Sequence, residues 1–198
     1  MFKRWVSMAS MCIASLTAAP AMAQSYDFSN FAIDGENFHG VTLGNMTLNS
    51  ENGTLFYTSN YGGGLVDGGA GTSDITLTFS SPITSISVRA GDGAGDLDAF
   101  GLIAYAFGTN ALLGSVYSPQ FGGPAEPEWF TLSLSGLGAI GRVVIDPCNS
   151  GMCPGTVKEI GGVAITDINV TAVPEPGAYA MLLAGMAVVG AMRRRRQA

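Results

Sequence analysis

Basic residues are scarce in the central part of this chain. Residues 24–172 contain three of them, Arg89, Arg142 and Lys158, against fourteen acidic residues, so the formal charge of this segment is −11. So acidic a surface repels the phosphates of nucleic acids and of anionic lipids. We therefore expect no nucleic acid partner.

Residues that could carry catalysis are also few. His39 is the single histidine, and the sequence has neither a Gly-x-Ser-x-Gly nor a His-Glu-x-x-His motif. Glu126 and Glu128 leave one enzymatic alternative, a glycan-active hydrolase that uses a carboxylate pair, but they lie in a proline-rich loop. We therefore expect a protein without enzymatic activity.

The N-terminal segment has the features of a signal peptide. Lys3 and Arg4 precede an apolar stretch over residues 5–18, and Ala21-Met22-Ala23 supplies the small residues that a signal peptidase reads. We predict cleavage between Ala23 and Gln24. Residues 1–23 are therefore excluded from the fold.

The C-terminal segment, residues 173–198, combines a short motif, an apolar run and a basic cluster. The motif is Val173, Pro174, Glu175 and Pro176, and the cluster is Arg193, Arg194, Arg195 and Arg196. The uncharged run over residues 177–192 covers about 24 Å as a helix, whereas a bilayer core of about 30 Å needs about 20 residues. The run predicts a marginal transmembrane helix with the arginines in the cytoplasm and the upstream residues outside.

The order and terminal position of these three features resemble the PEP-CTERM sorting signal of exported Gram-negative proteins. The resemblance implies that an exosortase-type membrane enzyme recognises and removes the tail. Proline at 174 and 176 keeps the motif out of the helix and accessible beside the membrane. The alternative is a plain tail anchor that is never processed.

Cysteine is limited to three residues, of which Cys12 leaves with the signal peptide. Cys148 and Cys153 remain, and an even pair in an exported chain favours a disulfide. A metal site at this pair lacks further cysteine or histidine ligands nearby. We therefore predict a Cys148–Cys153 disulfide.

Helical periodicity is absent between the two terminal signals. Apolar residues alternate instead with Ser and Thr, as in 74–79, 129–134 and 163–170, and glycine-rich turns separate the segments. The alternation breaks within 83–88. This pattern predicts an all-β domain over residues 24–172, an antiparallel, jelly-roll-like β-sandwich whose alternating Ser and Thr face solvent. Residues 81–114 resemble the galactose-binding-like sandwich domains that PEP-CTERM proteins carry.

An acidic, glycine-rich turn is the strongest candidate for a metal site. Asp92, Asp96 and Asp98 place three carboxylates within seven residues. Hard cations such as Ca²⁺ prefer oxygen ligands of this kind. The hypothesis is a structural Ca²⁺; the alternative is a solvated acidic turn, and no other cofactor is expected.

Aromatic residues near loops are candidates for ligand binding. Tyr61 and Phe121 lie in glycine- or proline-rich stretches, where aromatic rings are hard to bury, and Trp129 opens a strand. The alternative for Trp129 is packing in the core. We interpret the three as a tentative sugar-binding set.

These features together favour an exported, non-enzymatic protein of the cell surface or extracellular matrix. It is first anchored to the inner membrane by its tail and then processed. The resemblance implies a place among exopolysaccharide in a biofilm, with carbohydrate as ligand. The alternatives are the glycan-active hydrolase and a structural coat protein without a ligand.

Overall fold

The computed structural model describes residues 22–28, 37–38, 40–58, 63–67, 73–92, 97–122, 128–148, 163–173 and 176–195. These residues form β1 (Ala23–Asp27), β2 (Asn37–Phe38), β3 (Val41–Leu43), β4 (Met46–Ser50), β5 (Leu55–Thr58), β6 (Gly64–Asp67), β7 (Ile75–Asp92), β8 (Leu97–Asp98), β9 (Gly101–Ala106), β10 (Leu112–Tyr117), β11 (Phe121–Gly122), β12 (Glu128–Asp146), β13 (Ala164–Ala172) and the helix α1 (Pro176–Arg195). Residues 21–173 form one compact unit, to which α1 does not belong.

The compact unit is an all-β structure in which each described strand pair is antiparallel. The main sheet runs in the order β10-β9-β12-β7-β13-β6-β5-β2, with β1 beside β13 and β4 beside β7. The antiparallel all-β class predicted from the alternation is therefore confirmed. The short strands β8 and β11 form a separate two-stranded sheet.

Two long strands, β7 and β12, belong to both halves of the main sheet. Residues 75–79 of β7 pair with β4, and residues 83–91 pair with β13. The register between β7 and β12 shifts between Ser135 and Arg142, where Gly136 and Gly138 adopt positive φ angles of 71° and 94°. Glycine has no Cβ to clash in this conformation. The pairing of β7 with β13 is also irregular here, because Thr171 is opposite Ser85 whereas Ala172 is opposite Ile83. This shift accounts for the break in alternation within 83–88.

One hydrophobic core joins the inner sides of the two halves. Leu77 and Phe79 from one half belong to the same buried cluster as Val88 and Leu132 from the other. Burial of such a side chain contributes about 1.5–3 kcal/mol. The outward positions between them carry mostly Ser and Thr.

Helix α1 extends the predicted apolar run by one residue before it and three after it. Its first residue is Pro176, a position where the missing N–H of proline costs nothing. Leu183, Val188 and Val189 have more than half of their surface exposed. No helix in the described part of the chain has the length and apolar character needed to cross a bilayer.

Candidate functional site

A groove crosses the outer side of four neighbouring strands, β1, β13, β7 and β12, and has a volume of about 320 Å³. The strand register places short side chains, all but one of them polar, in two rows across these strands. The first row is Ser25, Asn169, Ser87 and Ser133, and the second row is Ala23, Thr171, Ser85 and Ser135. We call this surface the serine groove.

The alternation of each strand explains why these side chains point outward. Ser87 lies between Ile86 and Val88, and both of those neighbours are buried in the core. Because adjacent strands lie about 4.8 Å apart, the hydroxyl and amide groups of a row repeat at that spacing. The predicted solvent-facing Ser and Thr positions are confirmed here, and they repeat across the four neighbouring strands.

A charged pair lies one row further along the same strands, and an aromatic ring lies one row beyond that pair. The Nη1 atom of Arg89 is 3.6 Å from Oδ2 of Asp167, and its Cζ atom is 5.3 Å from the centre of the Trp129 ring. Both contacts attract the guanidinium group. The hydroxyl of Thr166 donates to the same Oδ2 atom at 3.0 Å. Arg89 is therefore held between a carboxylate and an indole face.

Gly91 makes room for the indole of Trp129. The two residues are opposite each other in the β7–β12 ladder. A Cβ atom at Gly91 would lie 2.2 Å from the carbonyl oxygen of Glu128 and 2.7 Å from the indole ring. Contacts this short are not tolerated between non-bonded atoms. Glycine at this position therefore allows the indole to lie against β7.

The three predicted aromatic ligands have different outcomes. Trp129 is half-buried on the outer side of β12 and packs on Arg89. Phe121 is only 2% exposed and packs on Phe100 and Phe130, so the prediction of an accessible ring is wrong for it. The short strand β11 directs its side chain into the core. Tyr61 lies outside the described residues.

Of the three predicted calcium ligands, the structure describes the side chain of one, Asp98. Asp98 is 3% exposed and lies opposite Phe121 in the β8–β11 pair. The side chains of Asp92 and Asp96 lie outside the described set. Among the residues that the structure describes, no group of three or more His, Cys, Asp or Glu could hold a metal ion. The calcium site stays a prediction.

The structure describes only one of the two cysteines of the predicted disulfide. Cys148 is 4% exposed, and its N–H donates to Oδ1 of Asp146 at 2.8 Å. Cys153 lies outside the described residues, as do His39, Glu126 and the motif residues Pro174 and Glu175. The disulfide therefore stays a prediction.

A second cluster of acids lies near the start of β7. Burial, followed by the charges of Asp146 and Glu51, raises the pKa of Asp74 to about 6. Buried Asp67 accepts hydrogen bonds at Oδ2 from the side chain of Asn52 and from the N–H of Ser73. The sequence did not reveal this cluster, because its members come from four separate segments.

Arg89 and Asp167 were also missed as members of a site. Arg89 stood out only as one of three basic residues, and its partner Asp167 is far from it in the sequence. The pairing follows from the register of β7 with β13, where Arg89 is opposite Asp167. The available signal was the scarcity of basic residues, which makes each arginine in the domain conspicuous.

Residues 172–196 match the PEP-CTERM protein-sorting motif. The match covers the Pro-Glu-Pro segment, the apolar run and the four arginines. The sorting signal predicted from the C-terminal residues is therefore confirmed. No curated protein matches the chain as a relative.

Several solved structures with weak likeness to this chain are carbohydrate-binding modules. One is the module CBM6cm-2 of Cellvibrio mixtus lichenase 5A, with a TM-score of 0.33 and 12% identity over 76% of this chain and 98% of that one. BiXyn10A CBM1 gives a TM-score of 0.36 and 10% identity over 76% and 97%. The family 11 module of Clostridium thermocellum gives 0.35 and 9% over 80% and 99%. At these values we take neither a ligand nor a binding residue from them.

Proposed function

We propose that this chain is an exported, non-enzymatic protein of the cell surface or extracellular matrix that binds polysaccharide through the serine groove and the adjoining Trp129. Its domain is a two-layered, jelly-roll-like sandwich. The observation that carries the proposal is the continuity of the two polar rows with the indole and the Arg89–Asp167 pair. These are the chemical groups that a sugar chain needs.

Sugar recognition requires an aromatic face and a set of planar or hydroxylic polar groups. The C–H face of a pyranose packs on an indole, and its hydroxyls exchange hydrogen bonds with serine, asparagine, guanidinium and carboxylate groups. Short side chains such as Ser87 and Ser133 lose little conformational entropy when they are ordered by a ligand. The groove therefore offers many weak polar contacts beside one large apolar contact.

The ligand of this groove is a neutral glycan. The positive charge of Arg89 is offset by Asp167 at 3.6 Å, and the domain as a whole is strongly acidic. A negatively charged sugar gains little from an arginine that is already paired. Neutral hydroxyls can still accept from the guanidinium and donate to the carboxylate.

The C-terminal segment directs export and processing in this proposal. The sorting motif of residues 172–196 supports recognition by an exosortase-type enzyme, after a signal peptide over residues 1–23 has directed the chain through the inner membrane. The exposed apolar side chains of α1 support a tail that is held in the membrane before removal. The product then resides at the surface or in the matrix, where exopolysaccharide is available.

The test is retention of the full-length protein by soluble neutral polysaccharides, a β-glucan, a galactan and a mannan, in affinity electrophoresis. We expect at least one to retard the wild type, and Trp129→Ala to weaken that retention by about tenfold or more. Phe107→Ala removes an exposed ring from another face and serves as the matched control. It should leave retention unchanged.

Two outcomes would contradict the proposal: no retention by any of the three polymers, or retention that Trp129→Ala does not change. The same samples are assayed for released reducing ends. Release would favour the hydrolase, and the absence of both binding and release would favour a coat protein without a ligand.

A further inference from the structure

A second cavity lies on the other half of the main sheet, at the turn between β9 and β10. It has a volume of about 280 Å³, near the lower limit for small-molecule sites. Thr78, Phe107, Asn110 and Arg142 line it. We call it the turn cavity. It shares no residue with the serine groove.

Arg142 brings an uncommitted positive charge to this cavity. Its Cζ atom lies 3.8 Å from the centre of the Tyr105 ring. In the part of the chain that the structure describes, no carboxylate oxygen lies within 4.0 Å of its guanidinium nitrogens. Tyr105 therefore orients the guanidinium without neutralising it, and the five N–H donors are available to an anion.

Phe107 brings an apolar ring that is exposed but fixed in position. The side chain is 42% exposed. Its N–H donates to the carbonyl of Ala139 at 2.9 Å. A Cβ atom at Gly141 would lie 2.5 Å from Cα of Phe107 and 3.0 Å from its ring, so β12 contacts the turn closely. A ring presented in this way loses little freedom when a ligand packs on it.

Asn110 completes the polar part of the cavity. It adopts a positive φ angle of 55°, which asparagine tolerates better than most residues, and its N–H donates to the carbonyl of Ala106 at 3.2 Å. The turn is closed by a hydrogen bond from Ala106 N–H to the carbonyl of Ala111 at 2.8 Å. The backbone thus holds Asn110 in the turn, and the residue lines the same cavity as Arg142 and Phe107.

We propose that the turn cavity binds a uronic acid residue of an acidic polysaccharide. The guanidinium of Arg142 binds the sugar carboxylate with two parallel hydrogen bonds, and the ring of Phe107 packs on the C–H face of the pyranose. The amide of Asn110 and the hydroxyl of Thr78 contact the sugar hydroxyls. This site is independent of the proposed function of the serine groove and gives the domain a second, chemically different ligand.

The net charge of the domain opposes this ligand only at long range. At physiological ionic strength the Debye length is about 8 Å, so distant carboxylates are largely screened. An ion pair at contact distance with the partly buried Arg142 is screened much less. The local cation therefore decides the binding, although the domain is acidic.

The test is calorimetric titration of the full-length protein with polygalacturonate oligomers at about 0.15 M salt. We expect binding by the wild type, a loss of about tenfold or more with Arg142→Gln, and a smaller loss of about threefold with Phe107→Ala. Arg89→Gln is the matched control, because it removes the other arginine of the described sheet. It should leave polygalacturonate binding unchanged.

Absence of polygalacturonate binding, or equal binding by wild type and Arg142→Gln, would overturn the proposal. Binding of a sulfated dextran in preference to polygalacturonate would also overturn it, because the cation would then be reading charge alone. Arg142→Gln could lower the melting temperature so far that the variant cannot be titrated. The polygalacturonate affinity of Phe107→Ala then tests the proposal, since this side chain is exposed. A parallel titration with neutral β-glucan tests the proposed function of the serine groove separately.

Discussion

The two arginines of the described sheet occupy similar positions but have different partners. Arg89 and Arg142 both lie on outward positions, and each contacts an aromatic ring. Arg89 also pairs with Asp167, whereas Arg142 has no carboxylate within 4.0 Å among the described residues. A guanidinium that is already paired serves as a hydrogen-bonding group for neutral ligands. A guanidinium without an acid partner serves as an anion site.

Each arginine site also has a glycine on the arginine's own strand. Gly91 lies beneath the indole of Trp129, and Gly141 lies beneath Phe107. The hypothetical Cβ at Gly91 meets the backbone of the central ladder, which cannot move easily. The hypothetical Cβ at Gly141 meets Cα of Phe107 at 2.5 Å, a backbone atom in the exposed turn after β9.

The largest effect is therefore expected from Gly91→Ala. We expect the free energy of unfolding to fall by about 3 kcal/mol, against about 1 kcal/mol for Gly141→Ala, in urea titrations followed by circular dichroism. Gly190→Ala in α1, where nothing lies within 4 Å, is the control and should leave the unfolding midpoint of the domain unchanged. Equal losses of unfolding free energy for the two sheet glycines would contradict the expected difference in rigidity between the two sites.

The sequence predicted the fold class and the polar faces better than the site itself. Alternation identified the outward serines of β7 and β12, and the break within 83–88 coincides with a register shift between β7 and β13. These are local signals with a period of two residues. The sorting signal with its Pro-Glu-Pro motif was equally predictable, because the whole signal lies in one short segment.

The binding groups were harder to predict because they depend on strand register. The Arg89–Asp167 pair and the isolation of Arg142 exist only after β7, β12, β13 and β9 are aligned. Phe121 was assigned wrongly because glycine and proline around it resemble a loop, although it begins a two-residue strand that contributes to the core. Local composition does not reveal such short pairings.

The acids of the two halves differ in the same way as the arginines. Asp167 faces a guanidinium, whereas Asp74 is near Asp146 and Glu51, and burial together with these charges raises the pKa of Asp74 to about 6. In the unfolded chain the carboxyl group of an aspartate has a pKa of about 3.9. Because the folded state holds the proton more tightly, Asp74 opposes folding increasingly as the pH rises from about 4 through 6.

A modest stabilisation is therefore expected from Asp74→Asn at pH 7.5, with no difference from wild type at pH 4. Urea midpoints at the two pH values measure it. Since Asp74 is only partly buried, solvent screening limits the gain. A variant that is less stable than wild type at pH 7.5 would contradict the assigned direction, and Asp167→Asn, which loses an ion pair at the other half, should show no such gain.

The most direct test of the account is to give Arg89 the surroundings of Arg142. In an Arg142→Gln background, which lacks the proposed anion site, Asp167→Asn removes the partner charge of Arg89 and retains an oxygen for the Thr166 hydroxyl. Calorimetry with polygalacturonate oligomers should then show binding restored, in competition with neutral β-glucan at the serine groove. Polygalacturonate that stays unbound while the β-glucan still binds would contradict the claim that ion pairing decides which sugar each face accepts.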